Sequence, residues 1–138
     1  MTYDPQNIFA NILRGEIPCH KIYEDDHTLA FMDVMPQVVG HCLVIPKNPS
    51  RGLLDADTKV LAHVMATVQK VAAAAVKATN ADGFQMRQYN ESAGGQTVFH
   101  LHVHILPMKE GVGIKPHTGK MADHGELAAI ANAIKSQL

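Results

Sequence analysis

The residues best equipped for chemistry lie in one stretch, Gln96-Thr97-Val98-Phe99-His100-Leu101-His102-Val103-His104-Ile105-Leu106-Pro107. Three histidines alternate there with large apolar side chains. Alternation predicts a half-buried strand, because successive side chains point to opposite faces. Phe99, Leu101, Val103 and Ile105 would face the core. His100, His102 and His104 would line the other face, each about 6.5–7 Å from the next. Gly94 and Gly95 precede the stretch and Pro107 follows it, and the glycines let backbone N–H groups approach a ligand closely. Three readings fit such a row of imidazoles. It can be a solvated, His-rich strand face. It can be a metal site, with His-x-His giving two nitrogens to zinc and a third ligand coming from elsewhere. Or it can be a nucleophilic site, where one neutral imidazole attacks an electrophile while its neighbours orient it and stabilise charge.

The full pattern, His-φ-His-φ-His-φ-φ with φ apolar and Gly-Gly-Gln-Thr upstream, resembles the signature of the histidine triad (HIT) family of nucleotide hydrolases and transferases. Other segments agree in order: Asn7-Ile8-Phe9 with Ile12, Gly15-Glu16-Ile17-Pro18, Phe31-Met32-Asp33, Pro36-Gln37 and Gly40-His41-Cys42-Leu43-Val44-Ile45-Pro46-Lys47. The likeness runs from about residue 7 to 107 and is strongest to bacterial members of the histidine triad nucleotide-binding branch.

That resemblance implies roles. His102 is the nucleophile toward the α-phosphorus of a purine nucleoside monophosphate derivative, through a nucleotidyl-histidine that water then hydrolyses. A phosphorus within about 3–3.5 Å of His102 is out of in-line reach of its neighbours on a strand. Its second ring nitrogen donates to a backbone carbonyl, which fixes the tautomer. His104 contacts phosphate or leaving group, and His100 and His41 orient His102. Gln96 and Thr97 meet phosphate oxygens and the leaving group, and the Gly94 and Gly95 amides help bear charge. Asp33 accepts from both ribose hydroxyls. Asn90 bonds phosphate or ribose, with Tyr89 competing for that place. Ile8, Phe9 and Ile12 wall the base, and Phe31 and Val34 join the nucleotide site. Relatives are homodimers with sheets joined across a two-fold axis, so a homodimer is expected. The reaction needs no cofactor or metal. The Cys-x-x-Cys that holds structural zinc in several bacterial relatives is replaced here by Asn7 and Ala10. A phosphoramidase is the leading activity. The alternatives are a dinucleoside polyphosphate hydrolase and a non-enzymatic nucleotide- or metal-binding interaction module.

The elements that must position these groups can also be read. The fold class expected is α+β, with an antiparallel sheet of about five strands packing one face on a long helix and exposing the histidine face. Residues 1–6 read as loose. Asn7 caps a short helix over 8–14 that Gly15 stops. An extended run over 17–24, a turn at Asp25-Asp26-His27 and a return over 28–32 make a hairpin. Asp33 follows at the strand end. A third strand covers 41–45. Asp57 caps a long core helix ending near Thr79, with Val60, Leu61, Val64, Val68, Val71 and Ala75 at helical spacing. A strand over 84–89 and a loop over 90–96 lead into the triad. Irregular chain over 108–121 precedes a final helix capped by Asp123, with Leu127, Ile130, Ala131 and Ile134 on one side, docking on the domain or on a partner subunit.

Length and composition set outer bounds. The 138 residues make one domain, with a core at about 7–107 and an extension over 108–138. Twelve basic against 13 acidic residues argue against a nucleic-acid surface built on bulk charge. Cys19 and Cys42 without a secretory segment point to reduced thiols in the cytoplasm. No apolar run of about 18 residues predicts a membrane span.

Overall fold

Local signals in the chain set most of the element boundaries. In a computed structural model, which describes residues 2–116 and 120–138, Asn7 caps α1 (Ile8–Leu13) by accepting from the Ala10 N–H. Gly15 follows at φ +77°, a left-handed turn that ends the helix. β1 (Lys21–Glu24) and β2 (Thr28–Met32) form the expected hairpin, with Asp25 Oδ1 accepting from the His27 and Thr28 amides at 2.8 Å. β3 (Cys42–Pro46) leads to α2 (Thr58–Thr79), capped by Asp57 and closed by Asn80 in the left-handed conformation. β4 (Gly83–Arg87), a short 3-10 turn at Ser92–Gly94, β5 (Val103–Met108) and α3 (His124–Lys135) complete the order.

The five strands form one antiparallel sheet in the order β1-β2-β3-β5-β4. Ile22, Ala30, Met32, Cys42, Val44, Val103 and Ile105 project from one face onto Val64, Val68, Val71 and Ala75 of α2 and Leu127, Ala131 and Ile134 of α3. The final helix thus docks on its own domain. On the opposite face Leu29, Phe31, Leu43 and Ile45 meet Phe9, with Ile12, Leu13 and Val98 around them. Every residue of β2 and β3 is buried, so this part of the sheet is covered on both faces rather than on one. α2 has the length and apolarity to cross a membrane, but its residues from Val64 to Ala75 build the core of this fold.

The triad strand is shorter than alternation predicts. β5 begins at Val103, after a bend at residues 98–100. The reason lies in β3. Its ladder with β5 stops at Val44 opposite Val103, because Pro46 has no N–H to offer and its carbonyl accepts from His100 Nε2 instead. The Leu101 N–H turns to the Ser50 carbonyl. Phe99, expected in the core, lies under the Arg51 guanidinium at 4.3 Å, half-buried.

Residues 2–6 are tied down rather than loose, with Met1 outside the described residues. Asp4 accepts from the Asn7 and Gln6 amides, the Thr2 carbonyl accepts from Arg51 Nη1, and Tyr3 reaches His100. The irregular chain expected over 108–121 is seen after β5, with 117–119 lying outside the described residues.

Candidate active site

Between α1 and the outer sheet face lies a cavity of about 660 Å³. Ile8, Phe9 and Ile12 wall it from α1, and Phe31, Leu43 and Val34 from the sheet side. Asp33, Thr97, His102 and His104 supply its polar end. Each of these except Leu43 is among the residues expected at a nucleotide site. His104 reaches the cavity because it stands opposite Leu43 in the β3–β5 ladder and shares its face.

His102 sits just before the strand, 5 % exposed. Its Nδ1 is 2.6 Å from the His100 carbonyl oxygen. A carbonyl only accepts, so Nδ1 carries the proton and Nε2 keeps its lone pair. Burial holds the ring's pKa below the ordinary histidine value, which leaves it neutral. The Phe9 ring meets it edge-on at 4.9 Å between centroids. A buried, neutral imidazole with a fixed tautomer is a ready nucleophile.

His100 works from behind. It is fully buried and its ring does not line the cavity. Nε2 donates to the Pro46 carbonyl at 2.8 Å, so Nδ1 must accept, and the Tyr3 hydroxyl donates to it at 2.6 Å. Burial pushes its pKa down to about 4. The ring therefore fixes the backbone whose carbonyl holds His102. Orientation passes through the main chain and not from ring to ring.

His41 touches a different member of the triad from the one expected. Its Nε2 lies 2.9 Å from His104 Nδ1 and 3.4 Å from Asp33 Oδ2. The Gln37 backbone N–H donates to His41 Nδ1 at 3.1 Å. That contact puts the His41 proton on Nε2, from where it is donated to His104 Nδ1, and the neutral His104 ring then carries its own proton on Nε2. Asp33 Oδ1 accepts from the Met35 N–H at 2.8 Å, fixing the carboxylate at the end of β2.

Donor atoms of Asp33, His41 and His104 lie within 4.8 Å of one another, close enough for one metal ion to be considered. The hydrogen bonds argue against it. A metal at His41 Nε2 needs that nitrogen's lone pair, which would put a proton on Nδ1 facing the Gln37 N–H. Where the resemblance implied a Cys-x-x-Cys in relatives, Asn7 is a helix cap and Ala10 a buried methyl.

Four residues expected to meet the ligand, Asn90, Gly94, Gly95 and Gln96, do not line the cavity. Gln96 is 3 % exposed, with Oε1 accepting from the Glu91 N–H and Nε2 donating to the Arg51 and Val98 carbonyls. These bonds brace the loop before the triad. Asn90 Oδ1 accepts from the Leu53 N–H, and its side chain pairs with Gln88. Gly95, at φ +95°, packs on the Tyr89 ring. Of the two candidates for one place, it is Tyr89 whose ring stands edge-on to His104, at 5.7 Å between centroids.

Sequence reasoning did not find Tyr3, Gln37, His20, Met121 and His124 here. The last three line the cavity, yet lie far from the triad in sequence. Tyr3 carried no motif, and Gln37 acts through a backbone N–H that any residue but proline has.

The HIT domain family model matches residues 14–111. The adenylylsulfatase HINT3 of Arabidopsis thaliana is 43 % identical over 103 residues, 75 % of this chain and 52 % of that protein, so the chain spans about half of this relative's length. A HIT-like protein involved in cell-cycle regulation from Bartonella henselae, solved with an unknown ligand, superposes with a TM-score of 0.95 at 48 % identity, covering 100 % of both chains. A hypothetical histidine triad nucleotide-binding protein from Sulfolobus tokodaii gives 0.86 at 32 % identity, over 94 % of this chain and 89 % of that one.

Proposed function

The chain belongs to the HIT domain family, and from that premise we propose that it is a purine nucleoside phosphoramidase working through a nucleotidyl-His102 intermediate. The observation that carries this reading is the fixed tautomer of His102, neutral and aimed from the polar end of an apolar cavity. The base packs among Ile8, Phe9, Ile12 and Phe31, and the ribose hydroxyls meet Asp33. His102 Nε2 attacks the α-phosphorus in line, and the bond from phosphorus to the leaving nitrogen breaks as the new N–P bond forms. His104 Nε2–H meets the departing nitrogen, which takes its proton from solvent at the open end. Water then attacks the same phosphorus, releases the nucleoside monophosphate and returns His102 to its neutral form. No metal is needed in either step.

The name of the Arabidopsis relative supports a second leaving group, sulfate, with the same nucleophile and the same product. Dinucleoside polyphosphates are a third class that this site could cleave by the same attack. The reading extends to a cytoplasmic homodimer. Free Cys19 and Cys42 suit a reducing compartment, and the exposed Phe84 and Met86 on edge strand β4 suit a subunit contact.

The test is AMP release from adenosine 5′-phosphoramidate and from adenylyl sulfate in excess EDTA, wild type beside His102→Ala. Wild type should release AMP and the variant should not, while still binding AMP. Turnover retained by the variant would remove His102 as the nucleophile, and no turnover of either substrate by wild type would overturn the hydrolase reading.

A further inference from the structure

Away from Asp33, Thr97, His102 and His104, the cavity's described wall is apolar or sulfur-bearing except at His20 and His124. These two imidazoles are hydrogen-bonded, His20 Nε2 to His124 Nδ1 at 3.0 Å, with ring centroids 5.2 Å apart. His20 precedes β1 and its carbonyl accepts from the Met32 N–H. His124 opens α3, beyond the matched segment. Its place is set by the Asp123 cap and by the Ala122 N–H, which donates to the Val34 carbonyl beside Asp33.

Two neutral imidazoles can share that bond only if one brings an N–H and the other a lone pair. The outer nitrogens, His20 Nδ1 and His124 Nε2, are then always one donor and one acceptor. If both rings change tautomer together, the inner bond survives and the outer roles exchange. Both side chains reach solvent, which gives the protons a route. A contact of this kind can donate or accept at one position as the ligand requires. Purines pose that demand at their six position, where adenine carries an amino group and guanine a carbonyl oxygen.

Resting on the nucleotide reading above, we propose that the His20–His124 pair reads the six-position substituent of a purine, meeting the amino group with a ring lone pair and the carbonyl with a ring N–H. A fixed side-chain donor or acceptor in an apolar pocket would favour one base strongly. This pair accepts both and leaves a purine that carries neither group more weakly held.

The test is calorimetric binding of AMP, GMP and purine riboside 5′-monophosphate to the full chain. Wild type should bind AMP and GMP within about threefold of each other, and each about tenfold more tightly than the unsubstituted purine, the ratio expected for one buried polar contact. His124→Ala, and separately the double variant His20→Phe/His124→Leu, should weaken AMP and GMP about tenfold and leave the unsubstituted purine unchanged. That unchanged ligand also reports an intact cavity. Equal losses for all three ligands would reduce the pair to a wall and overturn the proposal, as would a wild type that binds all three alike. If wild type bound none of the three, the nucleotide reading itself would fall.

Discussion

At the scale of single residues, the site is a matter of which nitrogen holds which proton. His102 Nε2 is free to attack because the His100 carbonyl claims Nδ1–H. Since burial keeps that ring's pKa below the ordinary histidine value, kcat/KM should hold its plateau down to a pH below about 6.5. A pH–rate profile measured from pH 4 to 8 checks this, and an acid limb centred above the ordinary value would refute it. His104 supports leaving-group departure through the Nε2–H that meets the departing atom, and sulfate, already a stable anion, needs that hydrogen bond less than a departing amine nitrogen does. His104→Ala should therefore slow phosphoramidate turnover about tenfold more than adenylyl sulfate turnover. Equal losses would assign His104 to phosphate binding alone. His100 adds a stability term. Its folded pKa of about 4 lies below the unfolded value near 6.5, so the unfolded chain binds the extra proton in between. Stability from this group is complete above about pH 6.5 and is lost as pH falls toward about 4, on the order of 3 kcal/mol. Urea midpoints across that range should fall with pH, and His100→Asn should flatten the slope.

At the scale of elements, a short helix and a proline decide the geometry. α1 is six residues long and could not persist alone, yet it presents Ile8, Phe9 and Ile12 to the cavity. Its Asn7 cap satisfies the Ala10 N–H at 2.9 Å. Asn7→Ala should cost about 1 kcal/mol of stability and raise KM for nucleotide substrates more than it lowers kcat. Thermal melts beside steady-state kinetics separate the two effects, and an unchanged KM would mean that α1 does not wall the base. Pro46 ends the β3 ladder and leaves its carbonyl for His100, which places His102 off the strand, its ring centroid 5.0 Å from that of His104. At Gly40, at φ +89°, a Cβ would stand 2.7 Å from the Thr79 side chain, so this entry to β3 passes close over the end of α2.

At the scale of the whole molecule, β4 is the odd strand. It lies at the sheet edge, and Phe84 and Met86 are 47 % and 49 % exposed although both alternate as strand residues. A free edge carrying apolar side chains favours pairing with a second copy. Sedimentation equilibrium should give a dimer at micromolar concentration, and the double variant Phe84→Asp/Met86→Asp should shift it to monomer with little change in far-UV circular dichroism. A monomeric wild type would leave this edge unexplained by self-association. The extension beyond the family core is also part of the molecule's architecture, since Leu127, Ala131 and Ile134 of α3 sit in the main core.

The sequence by itself determined the family, the α+β class, the helix caps at Asn7, Asp57 and Asp123, and the choice of His102, His104, Asp33, Thr97 and the apolar α1 residues as cavity groups. These were legible because alternation, helical spacing and capping act over a few neighbouring residues. Only the tertiary structure decided how the groups are wired. It covered the centre of the sheet on both faces and began the triad strand only at Val103. It joined His41 to His104, turned Gln96 and Asn90 inward as loop braces, and brought Tyr3 and His124 to the site. A hydrogen bond between residues such as Tyr3 and His100 leaves no periodic trace in the chain, because the partners meet only after the sheet and helices have packed. Proton placement on each imidazole follows from those meetings, and with it the chemistry.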